Sequence, residues 1–135
     1  MIEGLSHIMF IVRDLDKMED ILMKVLDAKR IYNSDDRTYS LSSEQFFFDV
    51  GAIWVVTMVG GPLRDKSNNH VVFKMTPDDY NDRLQRIPAR GLELKEGRSR
   101  VEGKGRSIYC IDNENHMFEL HSGTLQERLR CYSEA

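Results

Sequence analysis

Two histidines and one glutamate carry the chemistry this sequence offers: His7, His70 and Glu119. Neutral imidazoles and a carboxylate are donors that suit Mn²⁺, Fe²⁺ or Zn²⁺, and a three-ligand set leaves positions open for a substrate. His7 opens the stretch His-Ile-Met-Phe-Ile-Val, followed by Asp14 and an amphipathic segment. His70 opens His-Val-Val-Phe-Lys-Met, followed by Thr76 and a second amphipathic segment. From 7 to 70 is a step of 63 positions. A chain built from two copies of one unit can bring both imidazoles to a shared interface. Strand alternation places Met117, Glu119 and His121 on one face and the apolar Phe118 and Leu120 on the other. An inward carboxylate needs a partner, because burying a lone charge is costly. His121 shares the face of Glu119 and is the competing third ligand. His116 falls in a polar turn and reads as solvated.

The elements that must position these residues follow from pattern. Residues 5–12 read as a buried strand, and Asp14 as the N-cap of a helix with Leu15, Met18, Ile21, Leu22, Val25 and Leu26 at helical spacing. Strands are expected at 29–33, 38–42, 45–50 and 53–59. Gly60-Gly61-Pro62 and the polar run to Asn69 read as a linker. The second unit repeats the order. A strand at 70–75 precedes Thr76-Pro-Asp-Asp79, a helix start with Pro at the first helical position and early acids. Tyr80, Leu84 and Ile87 form its apolar stripe, and Pro88 and Gly91 are expected to end it. Strands follow at 92–95, 106–111 and 116–121, with Asp112–Asn115 as the turn between the last two. Thr124-x-x-Glu127 has the form of a capping box opening a terminal helix. The reading is one domain over 1–135, with module one at about 1–60, module two at about 68–123 and a short helix at about 124–132.

Composition excludes several classes. A formal charge of −3 without a long basic run gives no reason to expect nucleic acid. The longest apolar run is far short of a membrane span. The first residues lack the basic and apolar regions of a secretion signal, so the cytoplasm is expected. Cys110 and Cys131 are the only cysteines, with no Cys-x-x-Cys spacing, which supports neither a structural disulfide nor a thiolate metal site.

Two β-α-β-β-β units of this size resemble the modules of the vicinal oxygen chelate fold shared with glyoxalase I, an α+β architecture. Units of that kind commonly pair across two chains, so the resemblance implies a homodimer. The step of 49 from His70 to Glu119 leads from His7 to Val56. A glyoxalase I site takes a fourth ligand from that part of unit one, and none is available here. Three protein ligands are therefore expected, and not the glyoxalase reaction.

The chain resembles the fosfomycin-resistance proteins of the epoxide-hydrolase (FosX) type almost end to end. Gly4-Leu-Ser-His7, Ile11-Val-Arg-Asp-Leu15, Ser40-Leu-Ser-Ser-Glu-Gln-Phe-Phe47 and Asn69-His70 carry the likeness in the first half. Arg100-Val-Glu-Gly103, Gly105-Arg-Ser-Ile-Tyr109, Asn115-His-Met-Phe-Glu-Leu-His121 and Gly123-Thr-Leu-x-Glu-Arg-Leu129 carry it in the second. The resemblance implies Mn²⁺ on His7, His70 and Glu119, and Glu44 as the general base that activates water against an epoxide carbon. Thiol-transferase relatives lack that acid and are the alternative reading, as is a related hydrolase or binding protein acting on another small epoxide or phosphonate. The implied substrate is fosfomycin or a similar epoxy-phosphonate, with Arg98, Ser107, Tyr109 and Arg128 as its contacts and Arg100 as a further one. The pattern usually has Thr where this chain has Met9, and Tyr where it has Asn68. Metal binding is expected to survive these departures, at some cost to fosfomycin turnover.

Overall fold

The computed structural model describes residues 1–34, 44–61, 63–95 and 105–134. The chain divides into two compact units, Met1–Pro62 and Leu63–Ala135.

Unit one runs β1 (His7–Val12), α1 (Leu15–Val25), β2 (Lys29–Asn33), β3 (Gln45–Val50) and β4 (Ile53–Val59). Its sheet order is β1-β4-β3-β2, with β1 parallel to β4 and the other pairs antiparallel. The strand expected at 38–42 lies outside the described residues. Asp14 caps α1, its carboxylate accepting from the Lys17 amide at 3.1 Å. Leu15, Met18, Ile21, Leu22 and Val25 are all buried, so the apolar stripe is the core face of the helix. The sheet supplies Phe10, Val12, Phe46, Phe48 and Val55 as buried residues of the same unit. Each such side chain contributes roughly 1.5–3 kcal/mol by leaving water. Asp27, at φ 56, turns the chain out of the helix toward β2.

Unit two runs β5 (Val71–Lys74), a 3-10 turn at Pro77–Asp79, α2 (Tyr80–Ala89), β6 (Glu93–Lys95), β7 (Ser107–Ile111), β8 (Met117–His121) and α3 (Leu125–Glu134). Its sheet order is β5-β8-β7-β6, the order of unit one. The register repeats as well. Met9 pairs with Val56 and Val72 with Glu119, so both partners are displaced by the same 63 positions. The expected α+β class with two β-α-β-β-β modules is observed.

Two local expectations are corrected. Pro88 does not end its helix, which continues to Ala89. It sits in the last turn, and the stop comes at Gly91. That residue takes φ +78, its amide bonds to the Pro88 carbonyl at 3.1 Å, and the Leu92 amide reaches the Ile87 carbonyl at 3.3 Å. This is a Schellman ending, with Ile87 and Leu92 both buried beside it. Thr76 precedes the 3-10 turn without a side-chain capping bond. The terminal helix is capped as expected, Thr124 Oγ1 accepting from the Glu127 amide at 3.1 Å. No described helix is long and apolar enough to cross a membrane.

Candidate metal and substrate site

Glu119 is central in β8 and only 6% exposed. Its neighbours Phe118 and Leu120 point to the other face and are buried core. The cross-strand partners of Glu119 are Val72 on β5 and Tyr109 on β7. His70 enters just before β5 and brings Nε2 to 2.9 Å from Glu119 Oε1. The other ring nitrogen, Nδ1, is 2.7 Å from the backbone carbonyl of Asn68. A carbonyl only accepts, so Nδ1 carries the proton and Nε2 faces the carboxylate. That contact requires positive charge between nitrogen and oxygen, either a proton on Nε2 or a cation shared by the two groups. A histidine whose outer N–H is fixed on a carbonyl, with its inner nitrogen beside a carboxylate, has the arrangement of a metal ligand with its orienting partner.

The second carboxylate oxygen is also held. Ser107 Oγ donates to Glu119 Oε2 at 2.7 Å, and lies 2.7 Å from His121 Nδ1. His121 Nε2 stands 3.3 Å from Arg128 Nη2. His121 therefore has both ring nitrogens engaged, which argues against it as the third ligand. Gly105 makes this layer possible. A Cβ there, at φ +86, would stand 2.5 Å from the amide nitrogen of Gly123. The close approach lets the start of β7 bond to the segment after β8. The Arg106 amide donates to Ser122 Oγ at 2.9 Å, and the Ser122 amide to the Arg106 carbonyl at 3.0 Å.

His7 lies in unit one, at the first position of β1. Its ring packs on Trp54, its cross-strand partner, with centroids 4.2 Å apart. Phe47 then meets Trp54 edge-on at 5.3 Å, and Tyr32 meets Phe47 at 4.7 Å. Ser6 Oγ is 3.0 Å from His7 Nδ1. Met9, on the same face as His7, is 46% exposed. Among the described residues no group of three or more His, Cys, Asp or Glu stands together as a complete metal cluster. The structure brings His70 and Glu119 together in unit two and holds His7 on the aromatic face of unit one.

The remaining candidates divide. Tyr109 is half-buried, set edge-on to His70 with centroids 5.9 Å apart. Ser107 faces Glu119, and Arg128 faces His121. Arg106 is engaged elsewhere, its guanidinium 3.5 Å from the centre of the Tyr80 ring. Arg98 and Arg100 lie outside the described residues. Glu44 is exposed, immediately before β3, and its backbone carbonyl accepts from the Val59 amide at 3.0 Å. It has the parity of Phe46 and Phe48, the core-facing set, rather than that of Gln45 and Phe47, which share a face with His7. Because Glu44 precedes the strand, the ladder does not dictate where its carboxylate points.

Pattern reading missed Lys95. It pairs with Tyr109, which pairs with Glu119, so an exposed ammonium joins the same face of the sheet. Continuing the alternation argument across β6 and β7 would have found it. His116 is corrected: it is 6% exposed, not solvated. Its Nδ1 is 2.9 Å from Asp112 Oδ2, while Asp112 Oδ1 accepts from the Glu114 and His116 amides. This pair closes the β7–β8 turn, where Asn115 takes φ 69. Asn68 lies outside any strand, so alternation does not govern its side chain, and its carbonyl is what holds His70.

The model of the Glyoxalase/Bleomycin resistance protein/Dioxygenase superfamily matches residues 4–120. The fosfomycin resistance protein FosX of Mesorhizobium japonicum is 53% identical over 129 residues, covering 96% of this chain and 92% of that protein. A crystal structure of a variant FosX from Listeria monocytogenes, complexed with Mn(II) and 1S,2S-dihydroxypropylphosphonic acid, matches with a TM-score of 0.87. It is 41% identical and the match covers 98% of this chain and 99% of that one. The metallothiol transferase FosB of Lysinibacillus sphaericus is 30% identical over 135 residues, covering 97% of this chain and 90% of that protein.

Proposed function

This chain belongs to the Glyoxalase/Bleomycin resistance protein/Dioxygenase superfamily and, within it, to the FosX fosfomycin resistance proteins; from that premise we propose that it inactivates fosfomycin by metal-dependent addition of water to the epoxide. The observation that carries the reading is the contact between His70 Nε2 and Glu119 Oε1, with the far side of the imidazole fixed by a carbonyl. Those two groups and His7 are the ligands we assign to Mn²⁺. His7 is supplied by unit one of the same chain or of a second copy in a homodimer. The donor set, two imidazoles and one carboxylate, suits Mn²⁺. When bound, the ion supplies Lewis acidity that stabilises negative charge developing on the epoxide oxygen.

The chain's own residues do the rest. Glu44 takes a proton from water as the water oxygen bonds to an epoxide carbon and the ring C–O bond breaks. The freed oxygen ends as a hydroxyl once protonated, leaving a vicinal diol. The ligand named for the Listeria structure is such a diol, and this supports water over thiol as the nucleophile. A phosphonate dianion requires cationic and hydroxyl donors. Arg128 and Tyr109 meet that need, joined by Lys95 on the same sheet face and by Arg98; Ser107, which family likeness also assigns to the substrate, gives its one proton to Glu119 and stands behind the carboxylate instead. We treat residues 1–135 as one domain acting in the cytoplasm.

The test is to load the purified protein with Mn²⁺, add fosfomycin with and without glutathione, and identify the product. The dihydroxy acid is expected in both cases, and a glutathione adduct as main product would overturn the hydrolase reading. Glu44→Gln keeps the shape and removes the base. It should leave Mn²⁺ binding intact and lower turnover on the order of 10²-fold or more. Full activity in that variant would remove Glu44 from the role.

A further inference from the structure

Arginine has donors and no acceptor, and this fixes proton positions along a whole chain of groups. Arg128 Nη2 points at His121 Nε2, so Nε2 must offer a lone pair. His121 then carries its proton on Nδ1 and donates it to Ser107 Oγ. Ser107 Oγ accepts from His121 and donates its one proton to Glu119 Oε2. The Nε2–H tautomer would aim an N–H at a guanidinium. Of the two tautomers, only Nδ1–H satisfies all three contacts. The side chain is buried enough, at 11% exposure, that water is a poor substitute partner.

We propose that His121 is a positioning residue that orients Glu119 through Ser107 on one side and Arg128 on the other. It thereby ties the metal carboxylate to the arginine assigned to the phosphonate. The inference rests on the reading of Glu119 as a metal ligand. It adds that one imidazole, touching neither metal nor substrate, sets the proton direction that leaves Glu119 a pure acceptor. Partners of this kind, one shell out from the ion, typically change metal affinity by about 10–100-fold when removed.

The two ring nitrogens can be replaced separately. In His121→Asn the amide N–H stands near Nδ1 and keeps the arm to Ser107. In His121→Gln the amide oxygen stands near Nε2 and keeps the arm to Arg128. The measurements are Mn²⁺ affinity by EPR titration of the metal-free protein, and KM for fosfomycin at saturating Mn²⁺. Asn is expected to keep Mn²⁺ affinity within about threefold while raising KM about tenfold. Gln is expected to weaken Mn²⁺ binding about tenfold or more while leaving KM within about threefold. Parallel losses in both variants would mean a merely structural histidine and would overturn the proposal. A measurement on the unaltered, metal-free protein needs no variant to fold. Long-range ¹H–¹⁵N NMR should find a His121 proton on Nδ1 facing Ser107, and an Nε2–H tautomer would overturn it. Glu119→Ala separates the two failures. If it leaves Mn²⁺ affinity unchanged, the metal reading itself is wrong; if it abolishes binding while the two His121 variants behave alike, only this inference falls.

Discussion

On the face of unit one that carries His7, β3 and β4 pair Gln45 with Met58 and Phe47 with Val56. On the matching face of unit two, β7 and β8 pair Ser107 with His121 and Tyr109 with Glu119. Sheet order is the same in both units, and β4 and β8 meet their parallel neighbours in the same register. A polar quartet, with Ser107, Glu119 and His121 joined through the Ser107 hydroxyl, thus occupies the positions that are largely apolar in its sibling. The histidines are held by correspondingly different means. His70 is fixed by a carbonyl that dictates its tautomer, and His7 by stacking on Trp54, which dictates ring position more than proton position. A duplicated scaffold supplies two equivalent entry points for an imidazole, and divergence of one strand decides which unit carries the buried carboxylate.

The sharpest way to break this comparison is to remove the pair at its centre. Glu119→Ala should weaken Mn²⁺ binding at least about 100-fold, since it removes the carboxylate we assign to the metal together with the acceptor of Ser107. Val56→Ala, at the equivalent place, should leave Mn²⁺ affinity unaltered. It should lower stability by about 2 kcal/mol, the cost of trimming a side chain that is 1% exposed. Denaturant melts and EPR titrations on both variants give the two readouts. Equal effects on metal affinity would mean that the units are not differentiated in this way.

The next position tests the supporting layer. Ser107→Ala removes the hydroxyl that donates to Glu119 Oε2 and should raise the Mn²⁺ dissociation constant about tenfold. Gln45→Ala, its counterpart, has no carboxylate to support and should leave that constant unchanged. An unaltered affinity in Ser107→Ala would confine Ser107 to the substrate-binding role that family likeness suggests.

Much of this was legible in the residues. The 63-position repeat, the inward parity of Glu119 and the cap at Asp14 rest on short-range rules, namely alternation, helical spacing and side-chain capping, and these survive without tertiary information. The joined motifs from Gly4 to Leu129 identified the family. What escaped depends on contacts across strands. The burial of His116 follows from Asp112 folding back onto it, which a polar run of four residues conceals. Lys95 reaches the face of Glu119 through two cross-strand steps, and nothing in its local sequence marks it. The commitment of both His121 nitrogens required the approach of Arg128 from α3. Pro88 misled because a proline in the last turn of a helix breaks less than one in the middle.

A smaller effect should come from the stacking partner of His7. Trp54→Ala removes an aromatic contact of about 0.5–1.5 kcal/mol beyond simple burial, equivalent to roughly a threefold to tenfold loss of Mn²⁺ affinity if His7 is a ligand. Trp54→Phe keeps a ring and should recover most of it. No change in either variant would show that the stack does not position His7 for the metal, and that unit one contributes less to the ion than its repeat position suggests.

The core side of the two sheets offers the mildest test. Phe48 in β3 pairs with Val55, and Cys110 in β7 pairs with Phe118, so the thiol occupies in unit two the place of a phenylalanine in unit one. Both are almost fully buried. Burial, with a smaller contribution from the charge of Asp112, pushes the Cys110 thiol up to about 12 from an ordinary 9.0. Through neutral pH both folded and unfolded states keep that proton, and the group has no effect on the pH dependence of stability. Above about 9 the unfolded chain loses the proton while the folded one retains it, so stability should fall as pH rises toward 12. Cys110→Val should flatten that alkaline loss, with little change at pH 7. Thiol labelling of the folded protein at pH 8 should find Cys131, which is half-buried, reacting well ahead of Cys110. Equal labelling rates would mean that the core side of unit two opens readily to solvent, and that the sheet under Glu119 is not the rigid platform its burial implies.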